Sequence, residues 1–289
     1  MRWEGNEQSS NVEDRRGGGG GGGFGIGGGT VGIGTIAIAL LGSWFFGVSP
    51  GTILNLLSGG SPAQVQQAPS HPPANDRETK FVTTVLRFTE TTWTQIFKAN
   101  GAQYTPPVLV LYDGRTPTGG CGTGQSAVGP FYCPADRKVY IDLTFFNMMQ
   151  QRFKVGGEFT QAYVIAHEVG HHVQNLLGIS GKVDSMRQRL SETEANALSV
   201  RVELQADCFA GVWAYHTNEA KQIIEQGDVE SALAAASAIG DDALQRQSRG
   251  EVVPDSFTHG SSAQRVRWFK RGLETGSVEQ CNTFEARQL

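Results

Sequence analysis

A chain of 289 residues, 39% hydrophobic and 18% charged, carries enough apolar side chain to bury one sizeable core, which excludes a disordered protein. Its formal net charge of -4 and pI near 5.9 supply no basic field, so no nucleic-acid partner is expected. The 38 glycines exceed ordinary use for this length, and the excess is local, with residues 17–23 all glycine and more following up to Gly34.

Taken in chain order, the first segment is this glycine-rich tract, read as a flexible low-complexity tail. It contains a formal G-x-G-x-x-G at Gly27, Gly29 and Gly32. No strand precedes it, so it is not read as a dinucleotide loop. Residues 30–48, TVGIGTIAIALLGSWFFGV, carry no charge and are long enough to cross a bilayer as a helix, with Trp44 near one end as an interfacial anchor. Arg15 and Arg16 precede this segment and no Lys or Arg follows until Arg77, so the positive-inside rule places the N-terminus in the cytoplasm and the bulk of the chain outside. Residues 49–76 are rich in Pro, Gly, Ser and Gln, a linker composition, and His71 within them is expected to be solvated. The expected organisation is therefore a cytoplasmic glycine-rich tail over 1–29, a single transmembrane helix over 30–48, a flexible linker over 49–76 and a folded domain over 77–289.

All four cysteines, 121, 133, 208 and 281, fall in that domain, and their even number suits disulfides in an oxidising compartment. Of three possible pairings, Cys121 with Cys133 and Cys208 with Cys281 are favoured. Within the domain, FVTTVLRFTETTWTQIFKANG has apolar residues at helical intervals and stops at Gly101. PPVLVLYDG reads as a strand, and GPFYCPADRKVYIDLTFF as a hairpin turning through Pro134, Ala135 and Asp136. The strand KVYID is a candidate edge for pairing with an extended substrate. Beyond Phe146 the pattern is helical almost to the end, which makes the domain α+β, mostly helical with a small sheet. Near the C-terminus, Arg265, Arg267, Lys270 and Arg271 surround Val266, Trp268 and Phe269 and read as the polar face of an amphipathic helix.

Residues 158–177, EFTQAYVIAHEVGHHVQNLL, form a helical run that closes on Gly178. His167 and His171 stand four apart on one face, roughly 6 Å along the axis, so both rings can converge on one ion. Glu168 sits beside the first histidine, completing H-E-x-x-H. Imidazole suits Zn²⁺, whose bound water has a pKa of about 7 and can pass its proton to a nearby carboxylate. His172 points to another face and reads as a residue that packs or that supports a ligand without binding the metal.

A catalytic zinc needs a third protein ligand. Position 177, where the metzincin pattern requires a histidine, is Leu, so the downstream candidates are Glu192, Glu194, Glu203 and Asp207. Ser191 and Glu194 form a capping box at the start of a long helix. Glu203 and Asp207 lie four apart in its apolar interior, where carboxylates need partners.

The pair H-E-V-G-H and E-L-Q-A-D, separated by 31 intervening residues, is similar to the gluzincin pattern. Together with the glycine-rich head, the apolar segment, AHEVGHHVQ, ELQADC and FTHGSSAQRVRWF, it resembles the bacterial YpfJ-like neutral zinc metallopeptidase family. The resemblance covers almost the whole chain. It implies a zincin-like domain with an H-E-x-x-H helix and a glutamate-ligand helix, and one Zn²⁺ held by His167, His171 and Glu203. It also implies Glu168 as general base and Asp207 orienting a ligand histidine. His259 is the chosen oxyanion donor, with Tyr140, Tyr163 and Tyr215 as competitors. The expected protein is a peptidase of the bacterial inner membrane, anchored by one N-terminal helix, with a periplasmic catalytic domain and a protein or peptide substrate. The alternatives are a zinc-stabilised binding or assembly module without hydrolysis, and a zinc hydrolase of a non-peptide amide.

Overall fold

The computed structural model describes residues 1–17, 71–126 and 129–289. The expected transmembrane segment 30–48, most of the glycine tract and most of the linker lie outside the described residues. Among the described residues no helix is long and apolar enough to cross a membrane. The chain forms two compact units, one of Met1–Ser10, Asp76–Pro107 and Phe146–Leu289, the other of Asn11–Asn75 and Val108–Phe145. Both disulfides form as expected, Cys121–Cys133 and Cys208–Cys281.

In chain order the elements are β1 (Val12–Asp14), α1 (Arg77–Ala99), β2 (Val108–Leu111), β3 (Arg115–Pro117), β4 (Thr123–Gln125), β5 (Phe131–Cys133) and β6 (Lys138–Ile141). They continue with α2 (Thr144–Phe153), α3 (Glu158–Leu176), α4 (Ile179–Arg187), α5 (Glu192–Lys221), α6 (Asp228–Ala238), α7 (Asp241–Arg249) and α8 (Ser262–Thr275).

The first unit is helical. Asp76 starts α1 by accepting from the Thr79 amide at 2.8 Å, and Phe81, Val82, Val85, Leu86, Phe88, Trp93 and Phe97 make its buried face. Gly178, at φ 73°, takes the left-handed turn that separates α3 from α4, where a side chain would be strained. The capping box of Ser191 and Glu194 opens α5, and a second, Ser261 with Gln264, opens α8. Helix α5 packs on both α3 and α8. Its approach to α8 is set by Gly211 and Gly272: a Cβ on Gly211 would stand 2.2 Å from the Phe269 carbonyl oxygen, and one on Gly272 would stand 2.0 Å from that of Cys208.

The second unit is a sheet in the order β1-β2-β6-β5, parallel except for the β5–β6 hairpin, with a separate antiparallel pair β3–β4. KVYID therefore lies on the central strand β6, hydrogen-bonded on both sides, and cannot serve as a free edge. Its core is Val110, Tyr112, Cys133 and Tyr140, with Phe131 stacked on Tyr140 at 4.9 Å.

The N-terminal residues depart from the expected tail. Trp3 is buried and packs edge-on against Phe81 at 5.3 Å, and Ser9 Oγ donates to Glu90 at 2.5 Å, so residues 1–10 belong to the helical unit. Residues 12–14 pair with 109–111 as a parallel strand. The folded body thus begins well before Arg77. Asp14 also forms an antiparallel bridge with His71, whose Nε2 lies 2.7 Å from the Arg16 carbonyl oxygen; His71 is exposed, as expected, yet it is tied to the sheet.

Candidate metal centre

The apolar stripe of α3 sinks Ala162, Ile165, Ala166, Val169 and Val173 into the core of the helical unit, and this buries His167 and leaves His171 half-buried. His167 and His171 come from α3 and Glu203 from α5, each offering a ligand atom to one point. The Nε2 atoms of the two histidines are 3.2 Å apart, and Glu203 Oε2 is 3.2 Å from His167 Nε2 and 3.6 Å from His171 Nε2. Ligand bonds of about 2.0–2.2 Å in a tetrahedron leave ligand atoms roughly 3.3–3.6 Å apart, so the triangle fits one zinc ion.

The electrostatics suit a cation. Burial would lower the basicity of His167, but Asp207 and Glu203 outweigh it and push the ring up to about 10. Burial would raise the Glu203 carboxyl, yet His171 and His167 hold it well below the usual carboxylate range. Glu168, also buried, is raised by its desolvation and only partly held down by His167 and His171. A carboxylate in that state is a better proton acceptor than one in water.

Partners fix the rings. His167 Nδ1 lies 2.9 Å from Asp207 Oδ1, and that carboxylate also accepts from Tyr163 Oη at 2.6 Å and from Arg265 through Nε and Nη2, both at 2.9 Å. Asp207 can only accept, so Nδ1 carries the proton and Nε2 faces the cluster. The guanidinium of Arg265, expected on the solvent face of α8, is instead buried against Asp207; burial opposes its charge, but Asp207 keeps it well above the ordinary arginine value. His171 Nδ1 lies 2.9 Å from Gln174 Oε1.

His259 is half-buried, and its charge bears on that of Glu203. Its loop is organised by Asp241, whose Oδ2 accepts the amides of Thr258, His259 and Gly260 at 2.8, 2.6 and 2.9 Å. The other carboxylate oxygen of Asp241 stands 3.4 Å from His259 Nδ1.

The structure brings His167, Glu168, His171, Glu203, Asp207 and His259 into one neighbourhood. Glu192 and Glu194 lie exposed in the first turn of α5, where Glu194 accepts from Ser191. Tyr163 is committed to Asp207, Tyr140 donates to Asp136 in the sheet unit, and Tyr215 packs beside His216. His172 is buried, with Nε2 2.7 Å from the Thr105 carbonyl oxygen, a packing role as expected. Sequence reasoning missed Arg265, Asp241 and Gln174. A signal for Arg265 existed: it precedes Trp268, Phe269 and Gly272 at helical spacing, on the buried stripe of α8.

Comparison with known proteins agrees with this centre. The profile of the family described as "Putative neutral zinc metallopeptidase" matches residues 1–284. The "Uncharacterized protein YpfJ" of Escherichia coli (strain K12) is 52% identical over 288 residues, covering 98% of this chain and 99% of the relative. The "Uncharacterized protein Rv2575" of Mycobacterium tuberculosis (strain ATCC 25618 / H37Rv) is 46% identical over 196 residues, 64% of this chain and 65% of the relative. No solved structure matches the chain. With its H-E-x-x-H helix, its glutamate helix and a family match spanning both units, the chain belongs to the YpfJ-like neutral zinc metallopeptidase family.

Proposed function

We propose that this protein is a zinc-dependent peptidase that hydrolyses peptide bonds outside the cytoplasm. The observation that carries the reading is the convergence of His167 Nε2, His171 Nε2 and Glu203 Oε2 beside a buried carboxylate, Glu168, that is not itself one of the three. Among the described residues the cluster has three protein ligands, the number a catalytic zinc site uses, whereas structural sites use four.

His167, His171 and Glu203 would hold a zinc ion, which would supply Lewis acidity and lower the pKa of water to about 7. Glu168 takes a proton from the attacking water and hands it to the nitrogen of the leaving amine, a transfer its raised pKa favours. Asp207 holds the Nδ1–H tautomer of His167, and Arg265 and Tyr163 hold Asp207. His259, in the loop held by Asp241, is the donor assigned to the oxygen that gains charge as the peptide carbon becomes tetrahedral. Two disulfides support an oxidising compartment, and the charge-free segment 30–48 supports membrane attachment of a kind that keeps residues 12–14 on the same side as the strand they pair with.

The test is Glu168→Gln. The variant should fold, keep one zinc per chain by elemental analysis and lose about 10²- to 10⁴-fold or more in hydrolysis of a peptide library. Wild-type turnover in this variant would overturn the assignment.

A further inference from the structure

The two histidines are held by different kinds of partner. Asp207 fixes His167 with a charge, but His171 rests on a neutral amide that is 1% exposed, Gln174, three residues further along α3. A glutamine presents both an acceptor and a donor, so by itself it selects no tautomer of the ring it touches. What selects it here is the rest of the chain of hydrogen bonds.

Gln174 Nε2 donates to the Val202 carbonyl oxygen at 2.7 Å and to Gln205 Oε1 at 3.1 Å. Gln205, also buried, donates through Nε2 to the Cys281 carbonyl oxygen at 3.0 Å. A backbone carbonyl only accepts. Cys281 therefore forces the Gln205 amide to point its nitrogen outward along this line and its oxygen towards Gln174, and Val202 independently forces the Gln174 nitrogen towards α5. The Gln174 oxygen is then the only group left to face His171, so His171 Nδ1 must donate and Nε2 must carry the lone pair, towards Glu203 and His167. Each amide group in the relay has its partner, and neither can flip without setting its oxygen against a backbone carbonyl oxygen.

The far end of the relay is anchored covalently. Cys281 is bonded to Cys208 on α5, and Thr283 Oγ1 donates to the Arg201 carbonyl oxygen at 2.6 Å, which holds the tail against the same helix. We infer that Gln174 and Gln205 are positioning residues that fix the His171 ring for the metal, with the Cys208–Cys281 disulfide as their fixed end. This rests on His171 being a zinc ligand, as proposed above.

The experiment measures zinc affinity by chelator competition, and the His171 tautomer by ¹⁵N NMR of the metal-free protein at a pH high enough that the ring, whose basicity burial lowers but Glu203 raises, is neutral. The proteins are wild type, Gln174→Leu, Gln174→Glu, Gln205→Leu and the double variant Cys208→Ala/Cys281→Ala. Gln174→Leu should weaken zinc binding about 10- to 100-fold and let His171 populate both tautomers. Gln174→Glu keeps an acceptor on Nδ1 and should retain the tautomer, although its second carboxylate oxygen then faces the Val202 carbonyl oxygen and Gln205 Oε1 in place of a donor and should cost stability. Gln205→Leu and the cysteine double variant should each weaken binding by less, because Val202 still holds Gln174. If wild type binds zinc and a folded Gln174→Leu binds it equally with an unchanged tautomer, the relay is wrong while the metal site stands. Should Gln174→Leu not fold, unchanged affinity and tautomer in Gln205→Leu would overturn the relay. Unchanged affinity in the cysteine variant would remove the disulfide from it. A wild-type protein that binds no zinc would sink the functional reading, and the tautomer measurements would still judge the hydrogen-bond relay.

Discussion

Asp207 receives hydrogen bonds from three side chains inside a core, and its carboxyl, which burial alone would raise, is held down to about 2 chiefly by Arg265 and His167. Its role differs from that of Glu203 one helical turn earlier, and substitution separates the two. Glu203→Ala should remove a direct ligand and most of the bound zinc. Asp207→Ala, which removes no ligand but frees the His167 ring, should cost about 10- to 100-fold in affinity, and it should also destabilise the fold by leaving the buried Arg265 unpaired. Glu192→Ala and Glu194→Ala should retain zinc, with about 1 kcal/mol of stability lost where the capping box is cut. Elemental analysis of the four purified variants decides this, and stoichiometric zinc in Glu203→Ala would show that the ligand helix is misassigned. Arg265→Met should destabilise by about 3–5 kcal/mol in urea unfolding, because it strands the Asp207 charge in the core; an unchanged midpoint would mean that His167 and Tyr163 suffice. At this scale the sequence spoke clearly where spacing alone dictates geometry, as for His167, Glu168 and His171. It spoke poorly where a charged residue turns inward. Arg265 sits among other basic residues on α8, and only its partner on α5 explains its burial.

The crossing of α5 and α8 is what brings Arg265 to Asp207. Gly211 and Gly272 let the two backbones approach where any side chain would meet main-chain atoms. Gly211→Ala and Gly272→Ala should each destabilise the protein by about 1–3 kcal/mol or more, since backbone atoms cannot step aside as a flexible side chain can. Their zinc affinity should fall as well, because separating the helices draws Arg265 from Asp207. Thermal unfolding and chelator competition together check this, and a variant as stable as wild type would show that the helices can slide apart at little cost. Helices were readable as elements because periodicity, caps and glycine stops agree with one another, as at Asp76, Ser191 and Gly178. Strand β1 was not. Three residues in N-V-E-D carry no alternation, and their pairing partner lies almost a hundred positions away. The same lack of long-range information made KVYID look like an edge.

For the whole molecule the N-terminal strand has a topological meaning. Strands share a sheet only if they share a compartment, so residues 12–14 lie on the same side of any membrane as residues 109–111. The positive-inside reading counted Arg15 and Arg16 as a cytoplasmic flank. Instead, Arg15 is buried and donates to Thr116 and the Pro117 carbonyl, and Arg16 pairs with Asp14 at 2.6 Å. A single crossing that separates the N-terminus from the domain is incompatible with that sheet. Single cysteines placed at Ser10 and at Ser185, both exposed, should react together with a membrane-impermeant maleimide on spheroplasts, against a background in which the native cysteines are paired. Labelling of one position and protection of the other would overturn the shared side.

The bridge between Asp14 and His71 returns the chain to the point it left, with the His71 amide donating to the Asp14 carbonyl oxygen at 3.0 Å. Everything between Gly17 and His71 is, for the architecture of the described residues, a detour whose two mouths touch. A splice of about six residues from Gly17 to His71 should therefore preserve both units. Cutting the gene to start at residue 71, the obvious way to obtain the catalytic part by itself, would discard Trp3 and an outer strand and leave β2 with a bare edge prone to pairing with other chains.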